Sequence, residues 1–314
     1  MRQVPELSLL SYVNGNQQEK KQFVDQLMLG LKDYGFIILV DHTITDELIK
    51  KSYQLVEKFF HLPTETKMKY VCPKGGGQRG YTAFGVEHAK YTETPDLKEF
   101  WHVGREVPAG HRFADFYPNN IWPEEVEGFE KTLSLLFENL HQTSLYLLEA
   151  IGLGLDLPQD YFAKRIDEGN SILRPIYYPP LGKVAIPGAV RSAAHEDINL
   201  ITILMGATSS GLELLDRDGK WLPVETKEGQ LVVDSGDMLQ RITNGVIPAT
   251  THRVVNPEDA GSARFSMPFF VHPNPDVTLE CIPSCRGEGE KYPPINSHQF
   301  LLQRLNEIGL KDAK

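Results

Sequence analysis

Apolar positions fall into two regimes along this 314-residue chain. Through the first half they recur at three- and four-residue steps, the spacing that lines one face of an α-helix. Phe23, Leu27, Met28, Leu31 and Tyr34 form the first such stripe; Gly35 interrupts it, and Phe36–Val40 then reads as a short strand. Thr45 is an N-cap candidate with Asp46 and Glu47 behind it, and Leu48, Ser52, Val56 and Phe60 make a second stripe that Pro63 closes. A third helix is predicted from Pro123, with Val126, Phe129, Leu133, Phe137, Leu140, Ser144, Leu147 and Ile151 on one side before Gly152.

From about Ile172 the pattern changes to short β-rich runs: ILRPIYY, INLITILM, GLELL, KWLPV, QLVV, MLQRIT, THRVV and RFSMPFFV, separated by Gly, Pro, Asp and Asn. Strands at this spacing predict a sandwich or barrel. Asp216-Arg217-Asp218-Gly219 predicts a hairpin loop with glycine at positive φ, and Ser235-Gly236-Asp237 a second tight turn, so antiparallel pairing is expected. Phe300, Leu301, Leu305 and Ile308 share a helical face, which predicts a closing helix over 297–308. The expected organisation is one unit over 1–314: a mainly helical region over 1–165, a β core over 166–290, and a C-terminal helical segment over 291–314.

Composition narrows the class. With 41% hydrophobic and 24% charged residues the chain has the makeup of a soluble globular protein. A net charge of -10 opposes broad contact with nucleic acid or anionic lipid, so neither is an expected partner. MRQVPELSLL lacks a signal-type apolar region, and no apolar run is long enough to span a bilayer, which predicts a cytoplasmic protein with no membrane partner. Three cysteines, Cys72, Cys281 and Cys285, are too few and odd in number for a disulfide framework and fit a reducing compartment. Nothing in the periodicity marks a coiled-coil or repeat interface, and a monomer is expected.

His195-Glu196-Asp197 places two metal-competent side chains at i and i+2, on the same face of an extended strand. With ten histidines and 42 acids in 314 residues, about one such pair arises by chance, so the pair alone decides nothing. His252 in the β-like run THRVV and Arg264 in RFSMPFFV add to it. Arg264 and Ser266 repeat the i, i+2 spacing in a strand that is otherwise almost wholly apolar, where a guanidinium needs a fixed anion. Its planar fork suits a bound carboxylate, although an internal salt bridge would also satisfy it. Two imidazoles and one carboxylate on one face are the donor set of non-haem Fe(II) oxygenases, and the same three could hold zinc with a hydrolytic water. Residue identity leaves both metals open.

HEDINLITIL, GLELLDRDGKWLPV, GDMLQRITNGVIPATTHRVVNP and ARFSMPFF occur in the order found in the isopenicillin N synthase-like dioxygenases, which depend on non-haem iron(II) and 2-oxoglutarate, and the chain resembles that family. Weaker agreement lies upstream in YGFIILVDH, RGYTAFGVE and PDLKEFWHVG. The resemblance implies a mostly β fold with helical additions: a double-stranded β-helix, or distorted jelly-roll, core flanked by N-terminal helices and a C-terminal helix. It implies His195, Asp197 and His252 as catalytic iron ligands, Arg264 and Ser266 as the grip on the distal carboxylate of 2-oxoglutarate, and Tyr178 as a further donor to it. Many members carry Asn two positions before that tyrosine; here Ile176 stands there, which removes one polar contact.

The function implied is a dioxygenase that consumes Fe(II)-bound 2-oxoglutarate and dioxygen, with ascorbate as accessory reductant, and hydroxylates a small organic molecule with release of succinate and carbon dioxide. Three rival readings stay open at this point: a 2-oxoglutarate-independent oxidase of the same family, a zinc hydrolase and a metal-free binding barrel. The stretch 81–102 is the candidate lining of the substrate pocket, with Tyr81, Phe100 and Trp101 expected as core aromatics and Lys98 and Arg105 as solvated cations.

Overall fold

The computed structural model describes residues 3–72, 77–90, 94–183, 186 and 188–308. The first two helical stripes form as expected. Helix Gln17–Asp33 starts from an Asn16 capping box, and Gly35, at φ 68, turns the chain into strand Phe36–Val40. Helix Asp46–Phe60 begins where Thr45 accepts a hydrogen bond from the Leu48 backbone N–H. The third helix is Phe129–Gly154 and does not start at Pro123. Gly128 takes φ 81 and the Phe129 N–H reaches Val126 O at 3.1 Å, so the segment after Pro123 is a turn.

Strands from both halves of the chain build two facing sheets, with Glu6–Ser8, Phe36–Val40, Gly80–Thr82 and Glu99–Gly104 of the mainly helical first half joining the larger one. The larger runs Glu6–Ser8, Phe36–Val40, Leu231–Ser235, Ile201–Met205, Arg264–Val271, Ile172–Leu173, Glu99–Gly104, Gly80–Thr82, with Ile176–Tyr178 paired to both Arg264–Val271 and Glu99–Gly104. The smaller runs Trp221–Pro223, Leu212–Leu215, His252–Val254, Ser192–His195. Apart from the parallel pair Glu6–Ser8 and Phe36–Val40, neighbouring strands of these sheets are antiparallel. The 216–219 hairpin forms with Gly219 at φ 74, Asp216 Oδ1 accepting from the backbone N–H of Asp218 and Lys220.

Two sequence expectations give way. MLQRIT lies in a short helix, Asp237–Ile242, because Gly236 caps it, Asp237 sits in its positive first turn, and Met238, Leu239 and Ile242 bury one face. The run ILRPIYY splits at Arg174-Pro175 into two strands, since Pro175 has no N–H for the ladder. Strands Gly80–Thr82 and Glu99–Gly104 went unread in the first half, because EFWHVG carries a charged residue at the buried Glu99.

Alternation along the strands separates two cores. In Arg264–Val271 the side chains of Phe265, Met267, Phe269 and Val271 face the helices; Arg264, Ser266, Pro268 and Phe270 face the space between the sheets. On the helical side, Phe137 meets Phe269 edge-on at 5.1 Å, and burying a ring such as Phe269 contributes about 1.5–3 kcal/mol. The inner face is a small apolar layer, Phe36, Phe100, Ile176, Leu214 and Val232 among it, around a chamber that also holds Arg264, Ser266 and Asp234. This is the jelly-roll arrangement, with helix Ser297–Glu307 closing one mouth; residues 309–314 of the expected C-terminal segment lie outside the described residues.

Candidate active site

His195 ends one strand of the smaller sheet and His252 begins its neighbour, and the two are paired in register. Asp197 follows beyond the strand end, where its carbonyl accepts from the Asp237 N–H at 2.7 Å. One donor atom from each of the three lies within 4.8 Å of the others. Asp197 Oδ1 stands 3.7 Å from His195 Nε2 and 3.8 Å from His252 Nε2. Both imidazoles donate Nδ1–H to a backbone carbonyl, His195 to Ala193 at 2.7 Å and His252 to Thr250 at 3.1 Å. That choice of tautomer leaves both Nε2 lone pairs directed to the shared point. Burial, then the neighbouring His195, pulls the pKa of His252 down and favours its neutral form. The other oxygen of Asp197 accepts from Thr202 Oγ1, which in turn accepts from Asn199 Nδ2 at 3.0 Å. Glu196 points elsewhere and accepts from Thr251. The donor set, its spacing and its oriented tautomers fit a divalent cation.

Behind the triad a chamber of about 60 Å³ runs between the sheets to Arg264. Arg264 and Ser266 lie on its wall, both buried, and Arg264 is opposite Tyr178 in the strand register with its guanidinium 5.0 Å from that ring. Arg264 Nε donates to Ser209 O at 3.2 Å, whereas its Nη1 is buried without a partner among the described residues, the condition in which a guanidinium accepts an incoming carboxylate. Ile176 is in register with Ser266 and packs in the inner apolar layer. Sequence reasoning missed Asp234, which also lines this chamber; burial, reinforced by the charge of Asp197, raises its pKa well above the carboxylate range. Its signal was alternation in LVVDS, where Val232 and Asp234 share the inner face.

On the other side of the triad lies a cavity of about 120 Å³. The stretch 81–102 supplies Glu87, His88, Ala89, Lys90, Asp96, Lys98 and His102 to its wall, while Tyr91, Thr92 and Glu93 lie outside the described residues. Tyr81, Phe100 and Trp101 are core residues, as expected. Lys98 is not solvated, whereas Arg105 is half-buried. Lys98 is buried between Glu87 at 2.7 Å and Asp96 at 2.8 Å, and Arg105 donates to Gly169 O at 3.0 Å. Arg174 extends the network, with Nη1 3.2 Å from Glu87 and Nε donating to His102 Nε2 at 2.5 Å. Arg174 and His272 also face this cavity and were not singled out from the sequence.

Comparison with known proteins agrees with this geometry. The family model of the 2OG-Fe(II) oxygenase superfamily matches residues 169–273, and one described as the N-terminal region of a non-haem dioxygenase in morphine synthesis matches 4–125. A 2-oxoglutarate-Fe(II) type oxidoreductase of Emericella nidulans is 31% identical over 88% of this chain and 82% of its own. A 2OG-Fe(II) oxygenase family protein of Caulobacter crescentus superposes with a TM-score of 0.86 at 41% identity, covering 96% of this chain and 98% of that one. A full-length Neurospora crassa protein crystallised with alpha-KG (2-oxoglutarate) and thymine superposes with a TM-score of 0.86 at 30% identity over 96% of each chain. The paired histidines, the buried arginine behind them and these matches across nearly the whole chain have one reading: the chain belongs to the 2OG-Fe(II) oxygenase superfamily and is an oxidoreductase that uses Fe(II) and 2-oxoglutarate.

Proposed function

We propose that His195, Asp197 and His252 hold the iron, that Arg264, Ser266 and Tyr178 grip the distal carboxylate of 2-oxoglutarate, and that the enzyme hydroxylates a small organic molecule in the 120 Å³ cavity. The observation that carries this reading is the placement of a buried guanidinium, that of Arg264, whose Nη1 has no partner among the described residues, in the same chamber as three converging donor atoms. When bound, Fe(II) would supply the redox chemistry that couples 2-oxoglutarate and dioxygen to oxidation of the substrate, with succinate and carbon dioxide as co-products. The protein's own contribution is positional. Arg264 neutralises and orients the far carboxylate, Tyr178 and Ser266 add hydroxyl donors, and Phe36, Leu204 and Leu212 keep the chamber wall apolar. Thr202 holds Asp197 in place from the side away from the histidines.

The chain would work as one unit over 1–314, as a monomer in the cytoplasm. Among the described residues no helix is long and apolar enough to cross a membrane. The decisive experiment is anaerobic titration of the iron-loaded protein with 2-oxoglutarate. A weak visible charge-transfer band that saturates, followed in air by succinate release, supports the reading; no band and no succinate would favour an oxidase that binds its own substrate's carboxylate at Arg264.

A further inference from the structure

The cavity beyond the triad balances its charges differently from the chamber that holds Arg264. Every described lysine and arginine on its wall is matched by a protein carboxylate. Lys98 meets Glu87 and Asp96, Arg174 meets Glu87, Arg304 meets Asp237 at 2.7 Å, and Lys90 meets Glu307 at 2.8 Å. An anionic substrate would meet cations whose charge protein carboxylates already neutralise, and two of these pairs are buried and costly to open.

Two acceptors on the same wall stand without donors among the described residues. Glu87 spends Oε1 on Lys98 and Arg174, while its buried Oε2 has no hydrogen-bond partner. His272 lies one residue past strand Arg264–Val271 and continues its inward alternation beyond Phe270. It donates Nδ1–H to Phe270 O at 3.3 Å, so its Nε2 carries a lone pair, and that atom too is buried and unpartnered. Burial pulls the pKa of His272 to about 4, which keeps the ring neutral and Nε2 an acceptor near pH 7. A buried acceptor left unpaired is unfavourable until a ligand donates to it. Much of the remaining wall is apolar, including Ile172, Ala194, Ile198, Phe270, Leu301 and Leu305.

We propose that the prime substrate is an uncharged or cationic small molecule with an apolar body and O–H or N–H donors at one end, received by Glu87 and His272. This rests on the reading above that the cavity is where the prime substrate sits. Shape and charge then divide the labour. The chamber with Arg264 selects a dianionic 2-oxo acid, and the cavity with its committed cations turns carboxylates away.

The test uses iron-loaded protein with saturating 2-oxoglutarate under nitrogen and four probes sharing one ring: benzyl alcohol, benzylamine, benzoate and toluene. Probe binding is read as a shift of the visible charge-transfer band and, independently, by calorimetry. Benzyl alcohol and benzylamine are expected to bind about tenfold more tightly than benzoate and toluene, the discrimination of roughly one well-made hydrogen bond. His272→Phe keeps a ring but removes the acceptor and should erase most of that preference, while His272→Asn, which returns an acceptor, should restore part of it. The inference is overturned if benzoate binds as well as the donors, if no probe binds, or if the preference survives in His272→Phe. Absence of the band in the wild-type protein would instead count against the 2-oxoglutarate chamber, and calorimetry would still judge the donor preference.

Discussion

His195 and His252 stand directly opposite each other across one antiparallel strand pair, their rings 4.4 Å apart between centroids. Side chains opposite one another in such a pair share a face, so register alone brings the two Nε2 atoms together. A slip of one residue would turn His252 to the other side of the sheet and abolish the site. Asp197 completes the set from the turn that follows, and it is the only anionic member of the three.

Replacing Asp197 with Ala should therefore lower iron affinity sharply, because nothing else in the triad neutralises the dication. Competition with a chromogenic chelator measures this. Full iron retention would move the assignment to another acid, Glu196 first.

Thr202 donates to Asp197 and should tune iron without touching it. Thr202→Val is expected to weaken iron binding about 10–100-fold, the usual effect of losing a partner behind a metal ligand, with Thr202→Ser close to wild type. An unchanged chelator midpoint in Thr202→Val would show that the carboxylate needs no such support.

Arg264→Gln should weaken 2-oxoglutarate by roughly 2–5 kcal/mol, the range for truncating one partner of a buried charge pair. Arg264→Lys should recover only part of this, since a point charge cannot reproduce the planar fork. Calorimetric titration of the iron-loaded variants gives both numbers, and equal affinity for Gln and wild type would remove Arg264 from the co-substrate site.

Lys98→Met should destabilise the fold by about 3–5 kcal/mol, because Glu87 and Asp96 would lose the cation between them at a buried position. Thermal and urea denaturation test this. A variant as stable as wild type would mean that water reaches the pair.

Asp234 predicts a pH dependence in the metal-free protein. Its folded pKa is raised by burial and by Asp197, so its contribution to stability is complete below its ordinary value of 3.8 and declines as pH rises towards the folded value. Asp234→Asn cannot titrate and should gain stability relative to wild type as pH rises from about 4 to 8. Melting curves across that range check the sign, and parallel curves for the two proteins would show that Asp234 does not carry the buried proton.

Much of this molecule is legible in one dimension because its chemistry follows local periodicity. The helices at 17–33 and 46–60 are readable from their stripes and caps, and Arg264 and Ser266 from two-residue spacing, since a strand sends i and i+2 to one face whatever surrounds it. The same spacing marks His195 and Asp197 in the sequence, but the strand ends at His195 and the turn after it, not the strand, brings Asp197 to the site. The convergence of His252 on the other two is not local: it depends on which strands pair and in what register. The same holds for Lys98, which looks like a solvated cation in PDLKEF and becomes buried only because Glu87 and Asp96 fold against it. Asp237–Ile242 reads equally well as strand until the Asp197 and Ile198 carbonyls bind its first N–H groups. Spacing along the chain sets which side chains share a face. Their partners across the sheet, and with them the charge balance of a cavity, arise only when distant segments close around it, because burial and pairing are properties of neighbours in space.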